Sequence, residues 1–194
     1  MSNANFDLHG KVAIVTGASR GLGQYFSRAL AEAGADLVIT SRSQTSLDGF
    51  TAEIEAMGRK VLPLELDVRD YNSIRAMVAA AFEHYGKIDI LVNNAGCNIR
   101  KPALEISWDD WNTVLDTNLR GPFFVAQAVA EKMIPRNYGR IVNIGSVTSV
   151  FGYAGITPYC ASRGGVKQMT MSLADEWGGQ EIGRASCRER VCVG

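Results

Sequence analysis

Three glycines in seven residues, in the stretch Thr16-Gly17-Ala18-Ser19-Arg20-Gly21-Leu22-Gly23, follow directly on the apolar run Val12-Ala13-Ile14-Val15. They also open a segment of helical period, and few architectures turn so abruptly from strand to helix. Glycine is needed where backbone turns sharply off a strand, where it approaches a bound pyrophosphate, and where helix packs closely on strand. Gly17, Gly21 and Gly23 meet those three needs. The next segment sets Leu22, Phe26, Ala29, Leu30 and Ala33 on one face, with Gly34 as its stop. Its amino terminus then presents free N–H groups and positive dipole charge to phosphate. The turn reads as a phosphate cradle formed by Gly17, Ser19, Arg20, Gly21, Leu22 and Gly23. Standing alone, it would also suit an ordinary glycine-rich strand-to-helix turn.

Along the rest of the chain, short apolar runs alternate with helix-period segments, the pattern of a doubly wound α/β fold with a parallel sheet covered on both faces. Strands are predicted at about 11–16, 35–40, 61–66, 88–93 and 140–145, and helices at about 21–33, 43–57, 72–85, 107–134 and 158–177. Ile74, Met77, Val78, Ala81 and Phe82 share one helical face, and Gly86 stops that helix. Ser107 and Asp110 have capping-box spacing at the start of the helix carrying Trp108, Trp111 and Leu115. Pro63 lacks the N–H that an interior strand donates, so the third strand belongs at a sheet edge.

Composition narrows the partners. Twenty Lys and Arg balance twenty Asp and Glu over 194 residues, which leaves no basic field for nucleic acid or an anionic membrane. No apolar run approaches the roughly 20 residues that span a bilayer, and the opening Met1-Ser2-Asn3-Ala4-Asn5 lacks an apolar signal core. A single cytoplasmic domain is the expectation. Cys97, Cys160, Cys187 and Cys192 show no C-x-x-C spacing, and His9 and His84 stand apart, so no metal site is expected. Cys160 reads as a small half-buried packing residue.

The glycine spacing G-x-x-x-G-x-G, the segment Asn93-Asn94-Ala95-Gly96 and the pair Ser146 and Tyr159 occur in an order that resembles the short-chain dehydrogenase/reductase family. The resemblance runs from about residue 8 to 178. It implies a Rossmann fold with strand order 3-2-1-4-5-6-7, of which this chain would supply 3-2-1-4-5, the last two strands being missing. It implies hydride transfer between a nicotinamide cofactor and a carbonyl or secondary alcohol. Such a reaction needs a proton donor for the developing alkoxide, and Tyr159 takes that role if a neighbouring cation favours its phenolate. Ser146 would give the substrate oxygen a second hydrogen bond, and Asn118 would hold a relay water at a helix irregularity for which Pro122 supplies a cause. Taken singly, Ser146 and Tyr159 suit a local structural role better and Asn118 suits one equally well; their placement together within the full motif set reverses that.

One position departs from the pattern. Family members usually read Tyr-x-x-x-Lys, whereas this chain reads Tyr159-Cys160-Ala161-Ser162-Arg163. At i and i+4 Arg163 still shares a helix face with Tyr159 and still has donors for ribose hydroxyls. A guanidinium does not readily lend a proton, so the resemblance does not carry proton relay over to this position.

By the same resemblance Asn93, Ala95 and Gly96 line the adenosine side, while Asp67 and Val68 contact the adenine ring; Asp67 would equally serve as a helix cap. NAD-selective sites place an acidic residue after the second strand, but this chain reads Thr40-Ser41-Arg42 there and carries Arg20 in the glycine loop. Two cations suit a 2′-phosphate, so NADP(H) is the expected cofactor with NAD(H) possible, unless both arginines are plain surface charges.

The stretch 148–157 and the opening Phe6-Asp7-Leu8 look most like sugar-acid dehydrogenases of the gluconate 5-dehydrogenase type, implying a sugar acid or polyol as the small-molecule substrate. A 3-oxoacyl-carrier-protein reductase is the near alternative, and an NADP-binding regulator or inactive pseudoenzyme is the alternative of another class. A homodimer or homotetramer through helices 107–134 and 158–177 follows from the resemblance alone. Residues 1–180 are expected to form the dinucleotide-binding and catalytic domain. Residues 181–191 resemble one reading frame of a common sequencing-adapter oligonucleotide, so 181–194 are expected to be a non-native tail.

Overall fold

The computed structural model describes residues 6–180 and 182–187. Its centre is a parallel sheet built from β1 (Val12–Val15), β2 (Asp36–Ser41), β3 (Val61–Glu65), β4 (Ile90–Asn93), β5 (Gly139–Ile144) and β6 (Ile182–Cys187), in the order β3-β2-β1-β4-β5-β6. The helices are α1 (Leu22–Glu32), α2 (Asp48–Ala56), α3 (Tyr71–Tyr85), α4 (Trp108–Leu115), α5 (Gly121–Met133) and α6 (Thr157–Trp177).

The sheet separates two apolar layers, and period-two alternation along β1 feeds both. Val12 and Ile14 join Val38, Leu91, Ile74 and Val125 on one side, while Ala13 and Val15 join Leu37, Ile39, Phe50 and Ile54 on the other. β1 is buried along its whole length because Val15 pairs with Ile39 on one flank and Val92 on the other. Burying each such side chain contributes about 1.5–3 kcal/mol. Pro63 pairs opposite Ile39 in β3, at the sheet edge where a missing N–H costs nothing.

The order 3-2-1-4-5 is the expected one, and the structure extends it. Residues Ile182–Cys187, expected to lie in a foreign tail, run parallel to β5 from Gly139↔Ile182 to Ile144↔Cys187. The free edge of β5 would otherwise leave a row of backbone groups unpaired, and backbone pairing of this kind makes small demands on sequence.

α1 corrects the predicted helix face. Its buried residues are Gly23, Ser27 and Ala31, whereas Leu22 and Ala29 are exposed, with Phe26 and Leu30 packed at the flank. Small residues form the line of closest approach, and the larger apolar side chains sit beside it. The predicted helix over 43–57 begins as a 3-10 turn, Gln44–Leu47, before α2. Over 107–134 the helix is interrupted by a π-helical turn, Asp116–Arg120, between α4 and α5. The caps form as the sequence suggests: Ser107 Oγ accepts from Asp110 N and Asp110 Oδ2 accepts from Ser107 N, both at 3.0 Å. Gly86 ends α3 in the left-handed region at φ +69°. Among the described residues no helix is long and apolar enough to cross a membrane.

Candidate active site

The candidate residues gather at the carboxyl ends of β1, β2, β4 and β5, where ligands of open α/β sheets lie. After β1 the chain turns at Gly17, whose φ is +69°, and a Cβ there would stand 2.9 Å from Ala95 Cα. A Cβ on Gly23 would stand 2.2 Å from Gly17 O and 2.9 Å from Ala18 Cα, so only glycine lets α1 come this close. Gly21 caps α1 at φ +60°, and a Cβ built there meets only open space. α1 has no side-chain cap and no acidic residue in its first turn. No side chain therefore competes with an anion for the first N–H groups of the helix, and the cradle fits a dinucleotide pyrophosphate. Ser19 is half-buried, while Arg20 and Leu22 are exposed at the rim.

Thr16 and Asn94 hold this cradle in place, and sequence reasoning missed both as site residues. Thr16 Oγ1 accepts from the N–H groups of Asn94 and Ala95 at 3.0 Å each, and Asn94 Nδ2 donates to the carbonyls of Thr16 (2.9 Å) and Gly17 (3.1 Å). The loop after β4 is thereby fastened to the loop after β1. Their only signal was their place inside the glycine-rich stretch and the segment 93–96, each directly after the end of its strand.

At the adenosine end the predicted residues divide. The Ser41 hydroxyl is taken up by its own turn, bonding to Ser43 O at 2.9 Å and Ser46 Oγ at 2.7 Å. Arg42 and Arg20 are exposed and form no ion pair among the described residues. Val68 is buried, and its carbonyl lies where a Cβ on Gly121 would fall. Asp67 is gripped by Arg69, and the hydrogen bonds from that guanidinium hold its carboxyl below the ordinary range. The cap of α3 is Asp70, which accepts from Asn72 N, so Asp67 is left for another use. Asn93 is buried and donates to Pro122 O (3.0 Å) and Asn143 Oδ1 (2.9 Å), bracing β4 against α5 and β5.

The second corner is made by side chains. Arg163, 6% exposed, lies one turn after Tyr159 on α6, with its guanidinium carbon 5.0 Å from the phenol ring centroid. Nη1 donates to Ile144 O at 2.8 Å, tying α6 to the end of β5 two residues before Ser146. Nε is buried without a protein partner. Gly96 makes room for this guanidinium, since a Cβ there would stand 2.6 Å from Arg163 Nη2. Tyr159 and Ser146 are half-buried; Ser146 Oγ accepts from Thr148 N at 3.2 Å as it opens the 3-10 turn Val147–Ser149.

Asn118 sits fully buried in the π-helical turn. Its Oδ1 accepts from Cys97 N and its Nδ2 donates to Cys97 O, both at 2.8 Å, and Nδ2 also reaches Ser162 Oγ at 3.2 Å. Ser162 Oγ in turn donates to Tyr159 O at 2.8 Å, which links the π-helical turn to the first turn of α6. Ser162 was not singled out from sequence, because its side-chain partner Asn118 lies 44 residues away on another element. Cys160 is half-buried, as expected of a packing residue.

A glycine cradle at a helix amino terminus, with a tyrosine, a serine and a buried cation beside it at the strand ends, defines a Rossmann-type dinucleotide-dependent oxidoreductase. The chain belongs to the short-chain dehydrogenase family, whose model matches residues 11–187. It is 46% identical over 173 residues to gluconate 5-dehydrogenase of Gluconobacter oxydans (strain 621H), covering 89% of this chain and 68% of that protein. It is 41% identical to 2-dehydro-3-deoxy-D-gluconate 5-dehydrogenase of Escherichia coli (strain K12), covering 91% and 70% respectively. Among solved structures, a gluconate 5-dehydrogenase from Burkholderia cenocepacia J2315 in complex with NADP and tartrate superposes with a TM-score of 0.89 at 37% identity, over 93% of this chain and 72% of that one. The chain is accordingly an NAD(P)-dependent oxidoreductase acting on CH–OH groups.

Proposed function

We propose that the protein interconverts a keto group and a secondary alcohol on a sugar acid or polyol, with NADP(H) as the preferred cofactor and NAD(H) as the weaker one. The observation that carries the chemistry is the Arg163 guanidinium, fixed by Ile144 O and stacked on the Tyr159 ring. That geometry sets a fixed, buried cation against the ring that gives up the proton. A nicotinamide dinucleotide held by Gly17, Gly21 and Gly23 would supply or accept the hydride. Tyr159 gives its phenolic proton to the carbonyl oxygen in reduction and takes it back in oxidation, while Ser146 Oγ–H holds that oxygen in place. Asn118 and Ser162 fix the backbone around Tyr159. A guanidinium is a poor proton donor, so the reading routes proton exchange with solvent around Arg163.

The sugar-acid reading rests on the relatives named above, whose names specify gluconate-type acids. The NADP reading rests on Arg20 and Arg42, exposed and free of ion pairs among the described residues, and on the NADP in the Burkholderia structure. A homodimer or homotetramer through α4, α5 and α6 is supported by exposed apolar surface at the start of α4 and α6: Trp108 is 80% exposed beside a cavity of about 310 Å³ lined by Ile106, Trp111 and Pro158. We further read the protein as cytoplasmic, its small-molecule substrate as its partner rather than nucleic acid or membrane, 1–180 as one catalytic domain, and 181–194 as foreign sequence. Amplifying the source gene past codon 180 checks the last point, and a native frame that retains these residues refutes it.

The test of activity is NADPH oxidation with a panel of keto-sugar acids and oxoacyl thioesters. Turnover confined to the sugar acids supports the proposal. Preference for the thioesters makes the protein an acyl-carrier reductase. Cofactor binding without turnover makes it a regulator, and a large gain on Arg163→Lys would then locate the defect.

A further inference from the structure

We infer that Arg69, which belongs to none of the motifs above, helps set the cofactor's charge preference by neutralising Asp67 at the adenosine end of the cleft. The inference rests on the NADP reading and adds a determinant to it. The sheet places the relevant groups side by side. β2 and β3 are paired through Ser41↔Glu65, and Leu66 N donates to Ser41 O at 2.8 Å, so Arg42 and Asp67 leave adjacent strands at the same edge.

An unpaired carboxylate there would oppose a 2′-phosphate and favour a ribose hydroxyl, the logic by which an acidic residue at this end selects NAD. The carboxylate is not unpaired. Arg69 Nη2 lies 2.6 Å from Asp67 Oδ2, Arg69 Nε lies 3.0 Å from Oδ1, and the backbone N–H of Arg69 donates to Oδ1 at 2.9 Å. This forked, two-pronged grip is the strongest form of carboxylate recognition. Arg42 adds a further attraction, and the Asp67 carboxyl is held below its ordinary range, chiefly by the Arg69 hydrogen bonds. Asp67 and Arg69 side chains are 33% and 42% exposed, so the pair shapes the local field more than it stabilises the fold. The pair leaves Arg20 and Arg42 as cations of this corner that form no ion pair among the described residues.

Arg69 acts through Asp67, so the readout is the ratio of cofactor affinities rather than activity. NADPH and NADH are titrated by fluorescence at low and high salt against the unaltered protein, Arg69→Gln, Arg69→Lys and the double variant Asp67→Asn/Arg69→Gln. For Arg69→Gln, NADPH binding weakens about three- to tenfold at low salt, less at 0.5 M salt, with NADH within about twofold. Arg69→Lys keeps most of the preference, and the double variant recovers NADPH affinity. Equal weakening of both cofactors, or no recovery in the double variant, overturns the role of Arg69. An unaltered protein that binds NADH more tightly overturns the NADP reading instead, and one that binds neither overturns both.

Discussion

The cradle after β1 and the corner at the start of α6 serve one reaction but are built from different materials. The cradle's ligand-facing surface is backbone, fastened from behind by the Thr16 and Asn94 side chains: Gly17, Gly21 and Gly23 remove side chains so that main-chain atoms approach each other or a ligand. In the corner the contacts are made by side chains, Arg163 reaching Ile144 O and Asn118 clasping both backbone groups of Cys97. The cradle is therefore intolerant of added volume, whereas the corner is intolerant of lost polar atoms. It follows that damage to one should separate cleanly from damage to the other.

The largest separation is expected for Tyr159→Phe. Removing the proton donor should lower kcat by about 10²–10⁴-fold in steady-state assays. Cofactor affinity should be unchanged, since the cradle is untouched. A comparable loss of NADPH affinity would break the division between the two regions. Next comes Gly23→Ala, whose Cβ meets backbone at Gly17 O and Ala18 Cα that cannot turn aside. A loss of about 2–3 kcal/mol in urea unfolding is expected, together with loss of cofactor binding. Asn118→Ala should cost about 1–3 kcal/mol by leaving the buried partners at Cys97 unsatisfied, and should reduce kcat more than it weakens cofactor binding.

The smallest effect concerns a control site outside both regions. Asp110, bonded to Lys101 Nζ at 2.6 Å and to Ser107, is held at about 2 against an ordinary 3.8. A depressed carboxylate stabilises the fold above its unfolded value, and that stability drains away as pH falls from 3.8 through about 2. Asp110→Asn should thus lower Tm slightly at pH 7 and make no difference below pH 2, as read by thermal melts.

How much of this was legible in sequence follows from the same contrast. Backbone requirements leave local marks: glycine at fixed offsets, Pro63 at an edge, and Ser107 three residues before Asp110 each point to one conformation by themselves. The strand order followed from those marks and the family resemblance together. The helix face of α1 was misjudged because a close helix–strand contact selects small residues, so Gly23, Ser27 and Ala31 line it instead of Phe26 and Leu30. Partners far apart in the chain left no mark. The Thr16–Asn94 clasp spans 78 residues and the Asn118–Ser162 bond spans 44, and neither has a periodicity to betray it. The adoption of Ile182–Cys187 as a sixth strand was equally hidden, since the edge of β5 creates that place and the segment's own sequence does not announce it.

The central claim is that the backbone cradle grips the dinucleotide whether or not the phenol hydroxyl that moves the proton is present. Calorimetric titration of NADPH into the unaltered protein and into Tyr159→Phe tests it in one experiment. Binding with the same Kd in both is the predicted result. No heat from the unaltered protein, or a variant whose affinity collapses, would contradict it.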